Sequence, residues 1–171
     1  MLEDKTMLRN ESNINLWIQN HMRNEKMNKF WLNITHLSDG GLFWIGINLL
    51  LFIIPNTRPV GYKAFLGMVF QAIIVNFIIK VITDRSRPFE VNPDIKPIGR
   101  ILKDKSFPSG HTSVAFTSAF IYLQTLPLWF GSITLLIAFL IAFSRIYLGV
   151  HFVTDILGGI LVAALVAIFV L

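Results

Sequence analysis

The sequence predicts an all-α fold: a polytopic transmembrane helical bundle of five spans, with amphipathic interfacial helices at its N-terminus. Two observations lead there. Hydrophobic residues make up 54% of the chain and charged residues only 15%, against a charged share of ~25% in ordinary soluble proteins. The charges are also kept out of long stretches, since residues 64–79, 106–144 and 156–171 contain no Asp, Glu, Lys or Arg. A soluble core of 171 residues could not hide that much unbroken apolar length, whereas a bilayer asks for about 20 such residues per helix. Lipid-exposed backbone must satisfy its own hydrogen bonds, so the spans are expected as helices.

The elements follow in order. In residues 1–40, Ile14, Trp17 and Ile18, then Met27, Phe30, Trp31 and Ile34, fall at helical three- and four-residue spacing among Asn, Arg and Lys. That pattern fits one or two helices on the membrane surface, or a helix packed on the end of the bundle. The polar start lacks the basic stub and apolar run of a cleavable signal peptide. The spans are expected at 41–55, 60–82, 109–123, 128–146 and 151–171, with a break at Gln124–Pro127. The count becomes six if the N-terminal segment also crosses. The whole chain, 1–171, reads as one membrane-embedded domain: an interfacial segment 1–40 and a bundle 41–171 that includes a polar loop at 83–108.

Composition excludes several classes of function. There are no cysteines, which removes disulfides, zinc–thiolate sites and thiol nucleophiles. The net charge of +5 forms no basic stripe interleaved with aromatics, so nucleic acid is not an expected partner. The cations gather near span ends, where anionic headgroups lie.

Three short stretches carry chemistry. Lys80, Arg85 and Arg87 stand where the second span ends, followed by Pro88. Arginine presents a planar fork to phosphate oxygens and lysine a mobile point charge, although basic residues at span ends also snorkel to headgroups. Pro108-Ser109-Gly110-His111 opens the third span. Ser109 is a candidate N-cap, Gly110 permits close backbone approach, and the helix start favours an anion. A histidine there can protonate a leaving alkoxide near neutral pH, or can simply be an interfacial residue. Finally, Ser144-Arg145 ends the fourth span, and His151 begins the fifth with Asp155 one turn on. A carboxylate at that spacing can hold one ring nitrogen so that the other attacks, or can form a helix-start salt bridge. The remaining acids share no ligand spacing, so no metal or other cofactor is expected. Counting crossings places all three stretches on one side of the membrane.

These residues resemble the type-2 phosphatidic acid phosphatase superfamily, whose pattern is K-x6-RP, PSGH and SR-x5-H-x3-D. Lys80 to Pro88, Pro108 to His111 and Ser144 to Asp155 match it at every position. The resemblance covers about residues 80–155. It implies that His151 is a nucleophile forming a phosphohistidine, that Asp155 orients it, and that His111 is the general acid. It also implies that Lys80, Arg87, Ser109, Gly110 and Arg145 hold the phosphoryl oxygens, without a metal. The activity implied is hydrolysis of a membrane lipid phosphate, such as undecaprenyl diphosphate, phosphatidylglycerol phosphate or phosphatidic acid. The alternatives are a lipid phosphotransferase using the same phosphohistidine and a non-catalytic lipid-phosphate binder. A vanadium haloperoxidase, whose site is similar, is disfavoured because those proteins are soluble and much larger.

Many bacterial members have six spans, one more than is counted here, which bears on sidedness. The family places such sites outside the cytoplasm, whereas a literal positive-inside count turns this one inward. The outward face is expected, because several of the counted cations have a phosphate to bind. Oligomeric state is not readable from the sequence.

Overall fold

The structure, a computed structural model, describes residues 5–101 and 103–171, and among these every regular element is a helix. The chain runs α1 (Lys5–Met22), α2 (Glu25–His36), α3 (Leu42–Ile53) and α4 (Arg58–Ile73). The α4 axis continues through a π-helical stretch (Ile74–Ile79) into α5 (Lys80–Thr83). Then come α6 (Pro88–Val91), α7 (Gly110–Thr125), α8 (Leu128–Tyr147) and α9 (Val153–Val170).

The hub is α7, which packs on α8, α9 and α4. Every residue from Thr112 to Ala119 is buried, as are Ile121 and Tyr122. Burial on all sides explains a composition of Ser, Thr and Ala between aromatics. Helices gain no hydrophobic advantage from pairing in lipid, so small side chains that permit close approach set the packing. Gly159 of α9 shows how close: a Cβ there would stand 2.9 Å from the Ser109 carbonyl oxygen and 3.2 Å from Thr112 Cβ. The outward faces of α8 and α9 keep Leu136, Phe139, Leu161, Leu165 and Ile168 exposed, as lipid contact requires.

Among the described residues, three helical segments are long and apolar enough to cross a membrane: Pro55–Val91, Leu128–Tyr147 and Val153–Val170. A fourth results if Glu25–His36 and Asp39–Ile53, bent by 42° at their break, form one span. The spans expected at 41–55 and 109–123 correspond to α3, of 12 residues, and α7, of 16 residues. Ile54, between the end of α3 and Pro55, is extended at ψ 119°, because a residue preceding proline is pushed out of the helical region. The length of α7 is limited by Pro127 at one end and by the Ser109 cap at the other.

Both α1 and α2 pack on the bundle, against α6 and α8. Ile18 and Trp31 join Tyr147, Leu148 and Val150 in one apolar cluster, while Trp17 and Phe30 remain exposed. Of the two placements the sequence allowed for this segment, docking on the bundle therefore describes the inner faces. The same helices pin the 83–108 loop. Gln19 donates from Nε2 to the Asp94 carbonyl at 3.0 Å and accepts from Lys96 N at 2.8 Å.

Candidate active site

The chain reverses between α8 and α9 in a turn containing Gly149, at φ +75°, a left-handed conformation that glycine adopts without a Cβ penalty. This delivers His151, 1% exposed, to the start of α9. Asp155 lies one turn further on, fully buried. Its Oδ2 is 3.2 Å from His151 Nδ1 and accepts from Ser106 Oγ at 2.5 Å and Phe152 N at 2.8 Å. Its Oδ1 accepts from Arg85 Nη1 at 2.7 Å. A carboxylate so placed fixes the proton on Nδ1 and frees Nε2, which lies 3.4 Å from Arg87 Nη1. Burial lowers the His151 pKa despite the opposing pull of Asp155, so the ring is neutral near pH 7.

Arg87 is fully buried. It donates from Nη1 to the Val150 carbonyl at 2.7 Å and from Nε to the Asp104 carbonyl at 2.9 Å. Its Nη2 reaches Asp104 Oδ1 at 2.8 Å, while Lys80 Nζ pairs with Asp104 Oδ2. One carboxylate therefore bridges the two cations. Burial works against its charge, but the contacts with Lys80 and Arg87 outweigh that and hold Asp104 below the usual carboxylate range.

The N-terminus of α7 brings in Ser109, Gly110 and His111. Ser109 is fully buried. Its hydroxyl accepts from Thr112 N at 3.4 Å and from the Thr112 hydroxyl at 2.9 Å, and its N–H donates to the Asp155 carbonyl at 3.0 Å. Ser109 thus caps α7 and ties it to α9. His111 Nε2 is 2.8 Å from Asp39 Oδ1, just before α3.

A cavity of about 520 Å³ collects these groups. Lys80, Arg87, Asp104, Gly110, His111 and His151 line its polar part, and Ile45, Phe65, Met68, Val69 and Ala72 its apolar part. Asp155 and Ser109 stand behind that wall. Arg145 instead lines a neighbouring cavity of about 210 Å³, which it shares with His111, Asp39 and Thr35. It donates from Nη1 to Thr35 Oγ1 at 2.5 Å. Its Nε is buried with no partner among the described residues, a donor available to an anion. Among the described residues no three His, Cys, Asp or Glu side chains converge as metal ligands.

Sequence reasoning missed Asp39, Asp104, Ser106 and Thr35. Ser106 and Asp104 stand just ahead of Pro108-Ser109-Gly110-His111 and were within reach of a local reading. Asp39 and Thr35 precede every charged stretch that was singled out and carry no spacing signal. Arg85 was grouped with the phosphate-facing cations, but its guanidinium is turned to Asp155, Glu11 and Thr154, at 2.7, 2.7 and 2.6 Å.

A buried His–Asp pair thus opens onto a cation-lined cavity within a helical bundle. Residues 61–171 match the PAP2 superfamily, and the chain belongs to it. The chain is 35% identical over 121 residues to the undecaprenyl-diphosphatase of Sulfolobus acidocaldarius, a match covering 68% of this chain and 56% of that enzyme. This chain therefore spans little more than half the length of that relative. Among solved structures it resembles the transmembrane PAP2-type phosphatidylglycerolphosphate phosphatase of Bacillus subtilis, with TM-score 0.75 and 29% identity, over 94% of this chain and 82% of that one. It also resembles Aquifex aeolicus LpxE, with TM-score 0.76 and 28% identity, over 92% of each chain.

Proposed function

We propose that this chain is a membrane lipid phosphatase that works through a phosphohistidine. The observation that carries the reading is His151 Nε2, 3.4 Å from Arg87 Nη1, at the wall of a cavity that Lys80, Gly110 and His111 also line. In this reading Nε2 attacks phosphorus while Asp155 stabilises the imidazolium that forms. Arg87, Lys80 and the Gly110 backbone take the equatorial oxygens as charge develops, with Arg145 behind them. His111 gives its proton to the leaving oxygen. Water then attacks the phosphorus, His111 takes its proton, and phosphate departs from His151.

The apolar part of the cavity gives the substrate's chain a place between α3 and α4, so the headgroup enters while the tail stays in lipid. Phosphatidylglycerol phosphate and undecaprenyl diphosphate fit both that shape and the relatives' names. Five apolar segments cross the bilayer in this proposal, α7 among them as an enclosed span, and the site opens on the extracytoplasmic face. The reaction needs no metal.

Purified protein in detergent, with chelator present, is expected to release phosphate from one of these lipids. It should also form an acid-labile phosphoenzyme, and His151→Ala should lose both. Undiminished turnover by that variant overturns the mechanism.

A further inference from the structure

We propose that Asp39 is a positioning residue for His111, so that the site holds two His–Asp pairs, one for the attacking imidazole and one for the acid. The inference rests on the phosphatase reading above.

His111 forms part of the wall between the two cavities, lining both. On the side of the smaller cavity its Nε2 meets Asp39 Oδ1 at 2.8 Å, and the second Asp39 oxygen meets His36 Nδ1 at 2.7 Å. With Nε2 committed to a carboxylate, Nδ1 is the ring nitrogen left to face a leaving oxygen. Ser38 adds a backbone tie, donating from Oγ to the His111 carbonyl at 3.2 Å. The turn at Asp39–Gly41 is therefore fastened to the first turn of α7 at two points, one at the backbone and one at the ring.

The electrostatic setting gives the carboxylate a task. The charged neighbours of His111 are Lys80 from α5, Arg145 from α8 and Asp39. Arg87, Asp104 and His151 line the same cavity, and His36 and Arg100 the neighbouring one. Asp104 is already shared by Lys80 and Arg87. A proton on His111 is thus opposed by burial first and then by Arg145 and Lys80, and the carboxylate in direct contact with its ring is Asp39. Without that contact the ring loses both its fixed tautomer and the charge that keeps a proton on it.

The test separates a proton-delivery defect from a general loss of structure. Hydrolysis is measured on an alkyl phosphate, whose leaving oxygen needs a proton, and on an aryl phosphate with an acidic leaving group, which does not. In Asp39→Asn the alkyl rate should fall about 10- to 100-fold and the aryl rate less than about threefold, with KM little changed for both. The alkaline limb of the alkyl profile should move to lower pH, and Asp39→Glu should recover part of the rate. Adding Asp39→Asn to His111→Gln should cost nothing further. Equal losses on both substrates, or additive losses in the double variant, overturn the proposal. If Asp39→Asn fails to fold, the Asp39→Glu variant carries the same leaving-group comparison. Absence of activity in the parent protein would instead defeat the phosphatase reading itself.

Discussion

Arg85 sits inside the active-site sequence stretch yet, in the structure, braces the site from behind. Its guanidinium reaches Asp155 Oδ1 and Glu11 Oε2, each at 2.7 Å, and lies over the Phe152 ring at 4.7 Å. The side chains of Arg85, Asp155 and Glu11 are 10%, 0% and 14% exposed. Opposite charges about 4 Å apart attract by about 4 kcal/mol at an effective dielectric of about 20. Removing one partner of a buried pair costs about 3–5 kcal/mol, because the other charge stays buried alone. Arg85→Met leaves two such carboxylates, so its cost should lie in that range. For a chain of this size the loss corresponds to a melting temperature lower by about 6–20 °C.

The assay is thermal unfolding in detergent, followed by tryptophan fluorescence. Adding Glu11→Gln to Arg85→Met should recover about 1–2 kcal/mol, since one of the stranded charges disappears. The competing view makes Arg85 a phosphate ligand like Arg87. An Arg85→Met protein that melts with the parent but shows a raised KM would establish that view and refute this one.

Three further outcomes are expected. Asp104 shares Lys80 and Arg87 with any arriving phosphate, so Asp104→Asn should tighten inhibition by vanadate about three- to tenfold, the half-exposed carboxylate being partly screened; unchanged inhibition would show that the carboxylate does not compete. At Gly61 a Cβ would stand 2.7 Å from both Asn48 O and Phe52 N of α3. Gly61→Ala should therefore cost about 1–3 kcal/mol in unfolding and leave turnover per folded molecule intact. His151 has a lowered pKa in the folded protein, so below the ordinary histidine value of about 6.5 the unfolded chain binds a proton that the folded one refuses. Stability gained from the neutral ring is thus present above pH ~6.5 and lost as the pH falls below it. A melting temperature that stays flat from pH 8 to 5 would contradict this.

The helical class could be read from the chain because apolar stretches without charge have one solution in lipid. Lys80, Arg87, Gly110, His111 and His151 were legible because each sits at a helix end or turn, and they line one cavity. Hydropathy is blind to what surrounds a helix. Nothing in the apolar pattern told that α7 is enclosed by α4, α8 and α9. Polar partners drawn from distant segments were equally hidden. Glu11, Thr35 and Asp39 are ordinary acids and hydroxyls in an amphipathic stretch until the fold sets them against Arg85, Arg145 and His111. Arg85 misled because a cation's position in sequence does not say which way its side chain turns.

Those three contacts join the first forty residues to groups in the middle and in the last third of the chain. During synthesis the opening segment meets its counterparts one after another, Arg85 first, then His111 and finally Arg145 of α8. Long-range closure of this kind is slow, and it comes last. A nascent chain that has not yet reached the end of α8 therefore holds Arg85, Arg87 and His111 without the Thr35–Arg145 clasp that completes the brace.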